Sequence, residues 1–413
     1  MGKSTHFIGQ PLLLQVLNYV DKGKVLSISR RYGGERYVKS FDCWQHLVVM
    51  LYSVLMRFDS LREIMLGMKA EARKLLHLGI TKMPRRSTLS DANMRRSSVI
   101  FEDIYGYLYR THREKLLADS RPSNAAQWLN RLRVIDSTTI TLFSNIIFKG
   151  AGRNPKHGKK KGGIKVHKDV YANEGVASQV RFTSAATHDS VVFSPESFDR
   201  GELVAFDRAY IDYEKLEQLT KRGVVYVTKM KTGLKYVVLS DTMYMDEHGG
   251  MSTRVQHVVF VKKKDGRTIV HHARIVTYAD TKKRKLVSLL TNDFEMTEKD
   301  IIEIYGKRWM IELLFKQMKQ NFPLHFFYGD SRNAIEIQIW VTLIANLLLT
   351  LMQRSLRRSW SFSNLATAVR IMLMYYVDFS SFFESPEKDW QNVLSAAAKS
   401  PPMPELDFSG GLD

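Results

Sequence analysis

Four polar residues near position 310 have a spacing that could do phosphate chemistry. Tyr305, Arg308, Glu312 and Lys319 stand at offsets 0, 3, 7 and 14. On an α-helix, which turns about 100° per residue, their side chains would project within an arc of roughly 60°. Such a face could give Glu312 to a metal ion while the other three side chains hold phosphate oxygens. The alternative is an exposed helix face with internal ion pairs, such as Arg308 with Glu312.

Two aspartates end predicted strands. Asp136 is predicted to end the first strand of the sheet, in the run Val134-Ile-Asp136-Ser-Thr. Asp207 is predicted to end the fourth strand, in the run Val204-Ala-Phe-Asp207-Arg. If the two strands are neighbours, the carboxylates meet, and a carboxylate pair can hold the two Mg²⁺ ions that cut a phosphodiester bond by in-line displacement. Alone, each aspartate could equally be a turn residue that terminates a strand.

The surrounding pattern predicts a mixed α/β sheet between helical regions. The apolar spacing is helical up to about residue 120, including a helix after Ser60 and another at 87–100. Short β-branched runs then predict strands, a helix at 213–222 interrupts them, and helical spacing returns from about 297. Strands first, then an alternating strand and helix, indicate a mixed α/β sheet. The strands are predicted at 132–140, 164–171, 176–183, 203–206, 224–228, 256–262, 273–278 and 286–291.

These motifs together resemble those of bacterial insertion-sequence transposases of the DDE type, in insertion-sequence family four. Its mark is Tyr, two residues, Arg, three residues, Glu, six residues, Lys, which residues 305–319 match without a gap. The two aspartate runs resemble the family's first and second motifs. The resemblance implies an RNase H-like mixed sheet with a β-rich insertion, in which Asp136, Asp207 and Glu312 are catalytic and bind the metal. Tyr305, Arg308 and Lys319 would then bind DNA phosphates.

The resemblance and the changes in pattern together predict five segments. They are a helical DNA-binding domain at 1–125, the first part of an RNase H-like catalytic domain at 126–230, a β-rich insertion at 231–285, the second part of the catalytic domain at 286–330, and a C-terminal helical region at 331–413.

The implied function is DNA transposition by two-metal phosphodiester chemistry. The enzyme would cut the ends of an insertion sequence and join the 3′ hydroxyls to target DNA, using Mg²⁺, with Mn²⁺ as a substitute. Its partners would be double-stranded DNA, as terminal inverted repeats and target, and a second copy in a homodimeric synaptic complex. Two alternatives stay open: a nuclease that cuts without joining, and a non-catalytic basic DNA-binding protein related to transposases.

The charge balance supports a polyanionic partner. Lys and Arg number 62 against 42 Asp and Glu, a net charge of +20, which favours nucleic acid over a membrane surface. A possible helix-turn-helix carries Arg85, Arg86, Arg95 and Arg96. Residues 149–168 hold eight Lys or Arg and no acidic residue, and Lys159, Lys160 and Lys161 lie at their centre. Either set could bind DNA or form a solvated basic face.

Other features bear on the compartment and on a fourth acidic residue. A single cysteine, Cys43, excludes an intrachain disulfide framework and a Cys-based zinc site. No secretory signal is visible, and the longest apolar run, 339–352, is too short to span a bilayer and predicts a buried helix. We therefore expect a cytoplasmic, bacterial, nucleoid-associated protein without a membrane partner. Asp189, near a predicted strand end with His167 and His188, is either a fourth carboxylate near the metals or a hydrogen-bonded structural residue.

Overall fold

Helices occupy both ends of the described chain, and one mixed sheet occupies its middle. The structure, a computed structural model, describes residues 10–117, 127–141, 152–154, 161–245, 251–264, 266–280 and 285–399. The helices are α1 (Leu12–Leu17), α2 (Lys22–Arg31), α3 (Cys43–Met56), α4 (Leu61–Ala70), α5 (Ala72–Leu75), α6 (Arg86–Arg95), α7 (Ser98–Leu117), α8 (Asp189–Val192), α9 (Tyr213–Lys221), α10 (Glu298–Lys307), α11 (Trp309–Asn321), α12 (Arg332–Ser355), α13 (Phe362–Met372), α14 (Phe379–Glu384) and α15 (Pro386–Lys399). The strands are β1 (Leu132–Thr141), β2 (Gly152–Asn154), β3 (Lys161–Tyr171), β4 (Ala177–Ser184), β5 (Leu203–Phe206), β6 (Val225–Lys229), β7 (Val237–Met245), β8 (Met251–Lys264), β9 (Arg267–Asp280) and β10 (Lys285–Thr291).

Side-chain caps begin several of the helices at the residues that the sequence indicates. The Ser60 side chain accepts a hydrogen bond from the Glu63 backbone N–H at the start of α4, and Glu63 accepts one from the Asp59 backbone N–H at 2.9 Å. Such caps satisfy donors that have no partner within the helix. The predicted helix start after Ser60 is therefore confirmed.

The helix α12 lies at the centre of a helical body built from both ends of the chain. It packs against α3, α7 and α13, and these helices share one apolar core. Among the described residues, α12 is the single helix long and apolar enough to cross a membrane, but 94% of its most apolar window is buried inside the protein. The prediction of a buried helix at 339–352 is confirmed, and Cys43 is buried in the same core.

The ten strands form one sheet in which parallel and antiparallel pairs are mixed. Its order is β2-β3-β1-β5-β6-β10-β9-β8-β7, and β4 pairs with β3. The strand β1 runs parallel to β5, and β5 runs parallel to β6, whereas the other pairs are antiparallel. The predicted mixed α/β class with helical flanks is confirmed.

Strands from the segment predicted as a β-rich insertion continue the main sheet. Through the pairing of β9 with β10, the strands β9, β8 and β7 extend it by three strands. The strand β7 forms the outer edge, and all nine of its residues are exposed. The segment is β-rich as predicted, and its described strands share one hydrogen-bonded sheet with β1, β5 and β6.

Alternation of side chains gives the sheet two apolar faces. One face, with Leu132 and Val134, is covered by α10 and α11. The other face, with Ile135 and Phe206, is covered by α9. Because neighbouring residues in a strand point to opposite faces, Asp136 lies on the α11 side and Ser137 on the opposite side.

Two predicted helices are each divided in the structure. The helix predicted at 87–100 breaks at Arg96, whose backbone is extended at φ −72° and ψ 129°. The long helix predicted from 297 divides into α10 and α11 at Arg308. There the Arg308 N–H donates to the Tyr305 carbonyl and the Ile311 N–H donates to the Arg308 carbonyl, so the chain makes a tighter turn of 3-10 spacing. Gly306, which lowers helix propensity, lies in this turn.

Candidate active site

Asp136 and Asp207 lie at the same level of two neighbouring parallel strands. Asp207 directly follows β5, whereas Asp136 lies within β1, which continues to Thr141, so the prediction that Asp136 ends its strand is wrong. The register pairs Val134 with Ala205 and Ile135 with Phe206, so each aspartate is the next residue on its strand. Asp207 also accepts a hydrogen bond from the Ala209 backbone N–H at 2.9 Å, which holds the turn after β5. The expectation that these strands are neighbours is confirmed.

The junction of α10 and α11 brings Glu312 to the same place. The Arg308 guanidinium lies between two carboxylates, with Nη1 3.0 Å from Asp136 Oδ2 and Nη2 2.7 Å from Glu312 Oε1. The Tyr305 ring centroid is 5.6 Å from Arg308 Cζ. Three of the four signature residues thus meet beside Asp136 in β1. The ion pair between Arg308 and Glu312 is the one that the alternative interpretation of this helix face predicted.

Lys319 completes the signature farther along β1. Its Nζ donates to Thr138 Oγ1 at 2.7 Å and to the Thr139 carbonyl at 3.2 Å. Burial lowers the pKa of this ammonium. Lys319, Glu312 and Asp136 line one open cleft between α11 and β1.

The Asp136 carboxyl titrates unusually high for an aspartate. Burial raises its pKa to about 6, and repulsion from Asp207 and Glu312 adds to this effect. The Ser137 backbone N–H, 2.8 Å from Oδ1, and the Arg308 charge act in the opposite direction.

A buried lysine beside the cleft was not singled out from the sequence. Lys168 is opposite Asp136 in the pairing of β1 with β3, and its Nζ lies 2.6 Å from Met318 Sδ and 4.8 Å from the Phe315 ring centroid. Burial, then repulsion from Lys319, lowers its pKa to about 7. The signal was present, because Lys168 interrupts the apolar alternation of Ile164, Val166 and Val170.

A second polar cluster lies across the sheet. Ser137 Oγ donates to Asp189 Oδ1 at 2.7 Å, and this oxygen is also 3.4 Å from Lys165 Nζ and 3.6 Å from His167 Nδ1. These contacts agree with the interpretation of Asp189 as a hydrogen-bonded structural residue. His188 accepts from the Ser190 backbone N–H and caps the short helix α8.

The three carboxylates near the middle of β1 form a donor set that suits a hard divalent cation. Asp136, Asp207 and Glu312 offer carboxylate oxygens, which Mg²⁺ and Mn²⁺ prefer. No group of three or more His, Cys, Asp or Glu within the described ranges is already arranged around one metal position. In this structure the Arg308 guanidinium lies between the carboxylates of Asp136 and Glu312.

The basic residues predicted to bind DNA differ in their surroundings. Arg85 and Arg86 are exposed at the start of α6, and exposed Arg95 pairs with Asp91 at 3.0 Å. Arg96 is buried and donates to the carbonyls of Gly34 and Phe41, so its guanidinium is not available to DNA in this structure. Lys159 and Lys160 lie outside the described residues, and Lys161 begins β3, with only its backbone described.

Two family models match the chain. The family described as "Transposase DDE domain" matches residues 127–348, more than half of the chain, and a domain of unknown function (DUF4372) matches residues 8–81.

Three curated relatives are transposases by name. A probable transposase for insertion sequence element IS5377 of Geobacillus stearothermophilus is 25% identical, over 64% of this chain and 66% of its own length. The putative transposase y4zB of Sinorhizobium fredii is 27% identical, over 66% and 72%. The putative transposase for insertion sequence element IS4SA of Synechocystis is 23% identical, over 64% and 71%. The chain thus spans about two thirds of the length of these relatives.

The solved structures that align with the chain include a transposase in complex with DNA. A piggyBac transposase synaptic complex with hairpin DNA has a TM-score of 0.44 and 10% identity, over 97% of this chain and 88% of that chain.

Proposed function

The chain belongs to the DDE transposase family and is a DNA transposase, and on this premise we propose that Asp136, Asp207 and Glu312 form its active site. There it cuts the ends of an insertion sequence and joins the released 3′ hydroxyls to target DNA. The observation that carries this proposal is the contact of one guanidinium, Arg308, with carboxylates from β1 and α11 beside Asp207.

The three carboxylates serve as oxygen ligands. With Mg²⁺ or Mn²⁺ bound, the site gains Lewis acid chemistry for displacement at phosphorus. The parallel pairing of β1 with β5 brings Asp136 and Asp207 to the same level of the sheet, while α11 brings Glu312 to Asp136. Their mutual repulsion and the position of Arg308 between two of them support a site that needs a cation.

The other signature residues bind phosphate. Arg308 offers a planar fork of donors that fits phosphate oxygens in two places at once. Lys319, which lies about two helical turns beyond Glu312, supplies a point charge near Thr138. Tyr305 packs beside Arg308 and restricts where the guanidinium can move. These three side chains position the scissile strand, and none is needed as a proton shuttle.

The sheet order supports an RNase H-like catalytic core. The strands β4, β3 and β1 form an antiparallel run, and β1, β5 and β6 follow in parallel. We assign this core to the segments 126–230 and 286–330, with an insertion at 231–285 and helical domains at 1–125 and 331–413.

The DNA interface extends beyond the active site. The exposed side chains of Arg85, Arg86 and Arg95, on and beside α6, bind the terminal inverted repeats. Further contacts to the phosphate backbone of terminal or target DNA come from Lys159, Lys160 and Lys161. Two copies act together in a synaptic complex, one at each end of the element. The protein works in the bacterial cytoplasm, on nucleoid DNA.

A cleavage and joining assay tests the proposal. The DNA that flanks the gene supplies candidate ends, and the substrate carries these ends with Mg²⁺ present. Asp136→Asn, Asp207→Asn and Glu312→Gln should each abolish cleavage yet bind the ends nearly as well as the wild type. Cleavage without joined product would support a nuclease, and binding without cleavage by the wild type would support a non-catalytic relative. Substantial cleavage by Asp136→Asn would contradict the assignment.

A further inference from the structure

The orientation of the Asp136 carboxylate depends on the next residue of β1. Its Oδ1 accepts a hydrogen bond from the Ser137 backbone N–H at 2.8 Å, and its Oδ2 faces Arg308 at 3.0 Å. A carboxylate held through one oxygen by its own strand can only be as well ordered as that strand. Any contact that holds the Ser137 backbone in place therefore also holds the orientation of the Asp136 carboxylate.

Ser137 is fixed from the far side of the sheet. Its hydroxyl donates to Asp189 Oδ1 at 2.7 Å, and Asp189 reaches it from the first turn of α8. Because Ser137 and Asp136 point to opposite faces, Asp189 approaches the strand from the side away from α11.

Two side chains of β3 lie beside the Asp189 carboxylate. Lys165 and His167, on β3 opposite Thr139 and Ser137, lie 3.4 Å and 3.6 Å from Asp189 Oδ1. Lys165 Nζ also donates to the Thr187 carbonyl at 2.8 Å, two residues before Asp189. The aspartate is mostly buried, with 17% of its side chain exposed, so its position is well determined by these contacts.

We propose that Asp189 is a positioning residue for the metal site, which acts through the Ser137 hydroxyl to hold the Asp136 carboxylate in its ligating orientation. This inference rests on the proposed function, in which Asp136 binds the metal. Hydrogen-bonded partners behind a metal ligand commonly contribute about 10- to 100-fold to metal affinity. Asp189 is not a fourth ligand in this arrangement.

The test is a Mn²⁺ titration of the full-length protein without DNA, followed by electron paramagnetic resonance. Ser137→Ala and Asp189→Ala should each weaken Mn²⁺ binding by about tenfold. The double variant should be no weaker than either single variant, because both changes break the same link. Asp189→Asn should stay within about threefold of the wild type, since its amide oxygen still accepts from Ser137.

Two reference variants separate the explanations. Lys165→Met removes the ion pair but leaves the hydrogen bond between Ser137 and Asp189, and it should bind Mn²⁺ like the wild type. Asp136→Asn should weaken binding at least as much as Asp189→Ala does.

Three results would overturn the inference. Wild-type affinity in Ser137→Ala, with weakened binding in Asp136→Asn, would exclude the link and leave the metal site intact. Asp189→Asn and Asp189→Ala could also lose equal amounts of Mn²⁺ affinity, with the double variant losing the sum of the two single losses. That result would mean that Asp189 acts through its charge and independently of Ser137. Unchanged binding in Asp136→Asn would remove the proposed metal site and this inference with it.

Discussion

Arg308 Nη1 lies 3.0 Å from Asp136 Oδ2, although 172 residues separate the two in the chain. The same guanidinium reaches Glu312, so a fixed positive charge holds together carboxylates that would otherwise repel one another. Under the proposed function, a bound cation and this arginine would compete for the same oxygens, and an anion that draws the guanidinium away would favour metal binding. A DNA phosphate is the anion that the cleft would offer.

Replacement of Arg308 should separate metal binding from cleavage. Arg308→Ala should bind Mn²⁺ alone more tightly than the wild type, yet cleave DNA more slowly by about tenfold or more, since charged hydrogen bonds contribute about 1.5–3 kcal/mol. Arg308→Lys should cleave at an intermediate rate, because it keeps the charge and loses the fork. Paramagnetic titration and single-turnover cleavage measure the two effects. Near-wild-type cleavage in both variants would exclude the phosphate role.

Lys319 should matter more than the neighbouring lysine on the same helix. Lys319→Ala should slow single-turnover cleavage by about 10- to 100-fold, because a charge-assisted contact beside β1 is lost. Lys316→Ala is the matched control, since Lys316 is exposed and lines the same cleft. Its rate should change by less than about threefold. Equal losses in the two variants would mean that the cleft responds to net charge alone.

The arginines of the N-terminal region should divide into a structural one and DNA-binding ones. Arg96→Ala should lower the free energy of unfolding by about 2–3 kcal/mol, because two buried carbonyls lose a charged donor. Arg86→Ala should change stability by less than about 0.5 kcal/mol. Urea denaturation measures both.

The same variants differ in DNA binding. Arg86→Ala should weaken binding to the element's ends and reduce the salt slope by about one, as expected when one phosphate contact is removed. A titration across salt concentrations measures this. An unchanged slope would place the DNA on another surface.

His46 should make the protein less stable in acid. It is fully buried, with Nε2 2.8 Å from Asn93 Oδ1, and burial, then repulsion from Arg96, lowers its pKa from 6.5 to about 3. Between these values the unfolded chain binds the proton more readily, so stability is complete above pH 6.5 and falls as the pH drops toward 3.

A variant isolates this contribution. For one such group, the free energy of unfolding changes by up to about 1.4 kcal/mol per pH unit. His46→Gln should lack this pH dependence, whatever its stability at neutral pH. Chemical denaturation of both proteins between pH 4 and 7 gives the difference in slope. Parallel curves would contradict the assignment.

The elements around the site were predictable because their signals are local. The strand that contains Asp136 and the strand that ends before Asp207 each follow from a run of a few residues, as does the helix start after Ser60 in the N-terminal region. The spacing of Tyr305, Arg308, Glu312 and Lys319 likewise survives the tight turn at Arg308.

Contacts between distant segments were not predictable in this way. Nothing local in the sequence specifies that Ser137 meets Asp189, or that the basic side chain of Arg96 turns inward to two carbonyls. The same holds for the single sheet that joins β7 and β1, since strand pairing depends on the whole chain. Lys168 is the exception, because its break in the apolar alternation was visible.

The central position of α12 also imposes an order in time. The ribosome makes α3 and α7 long before residues 332–355, which complete their apolar core. Until then α3 and α7 have α2 as a partner but lack the helix that covers the rest of their apolar surface, and Glu312 on α11 has only just been synthesised. A growing chain therefore acquires Glu312 and the central helix of its helical body at nearly the same moment, so a product that ends before residue 312 would have neither.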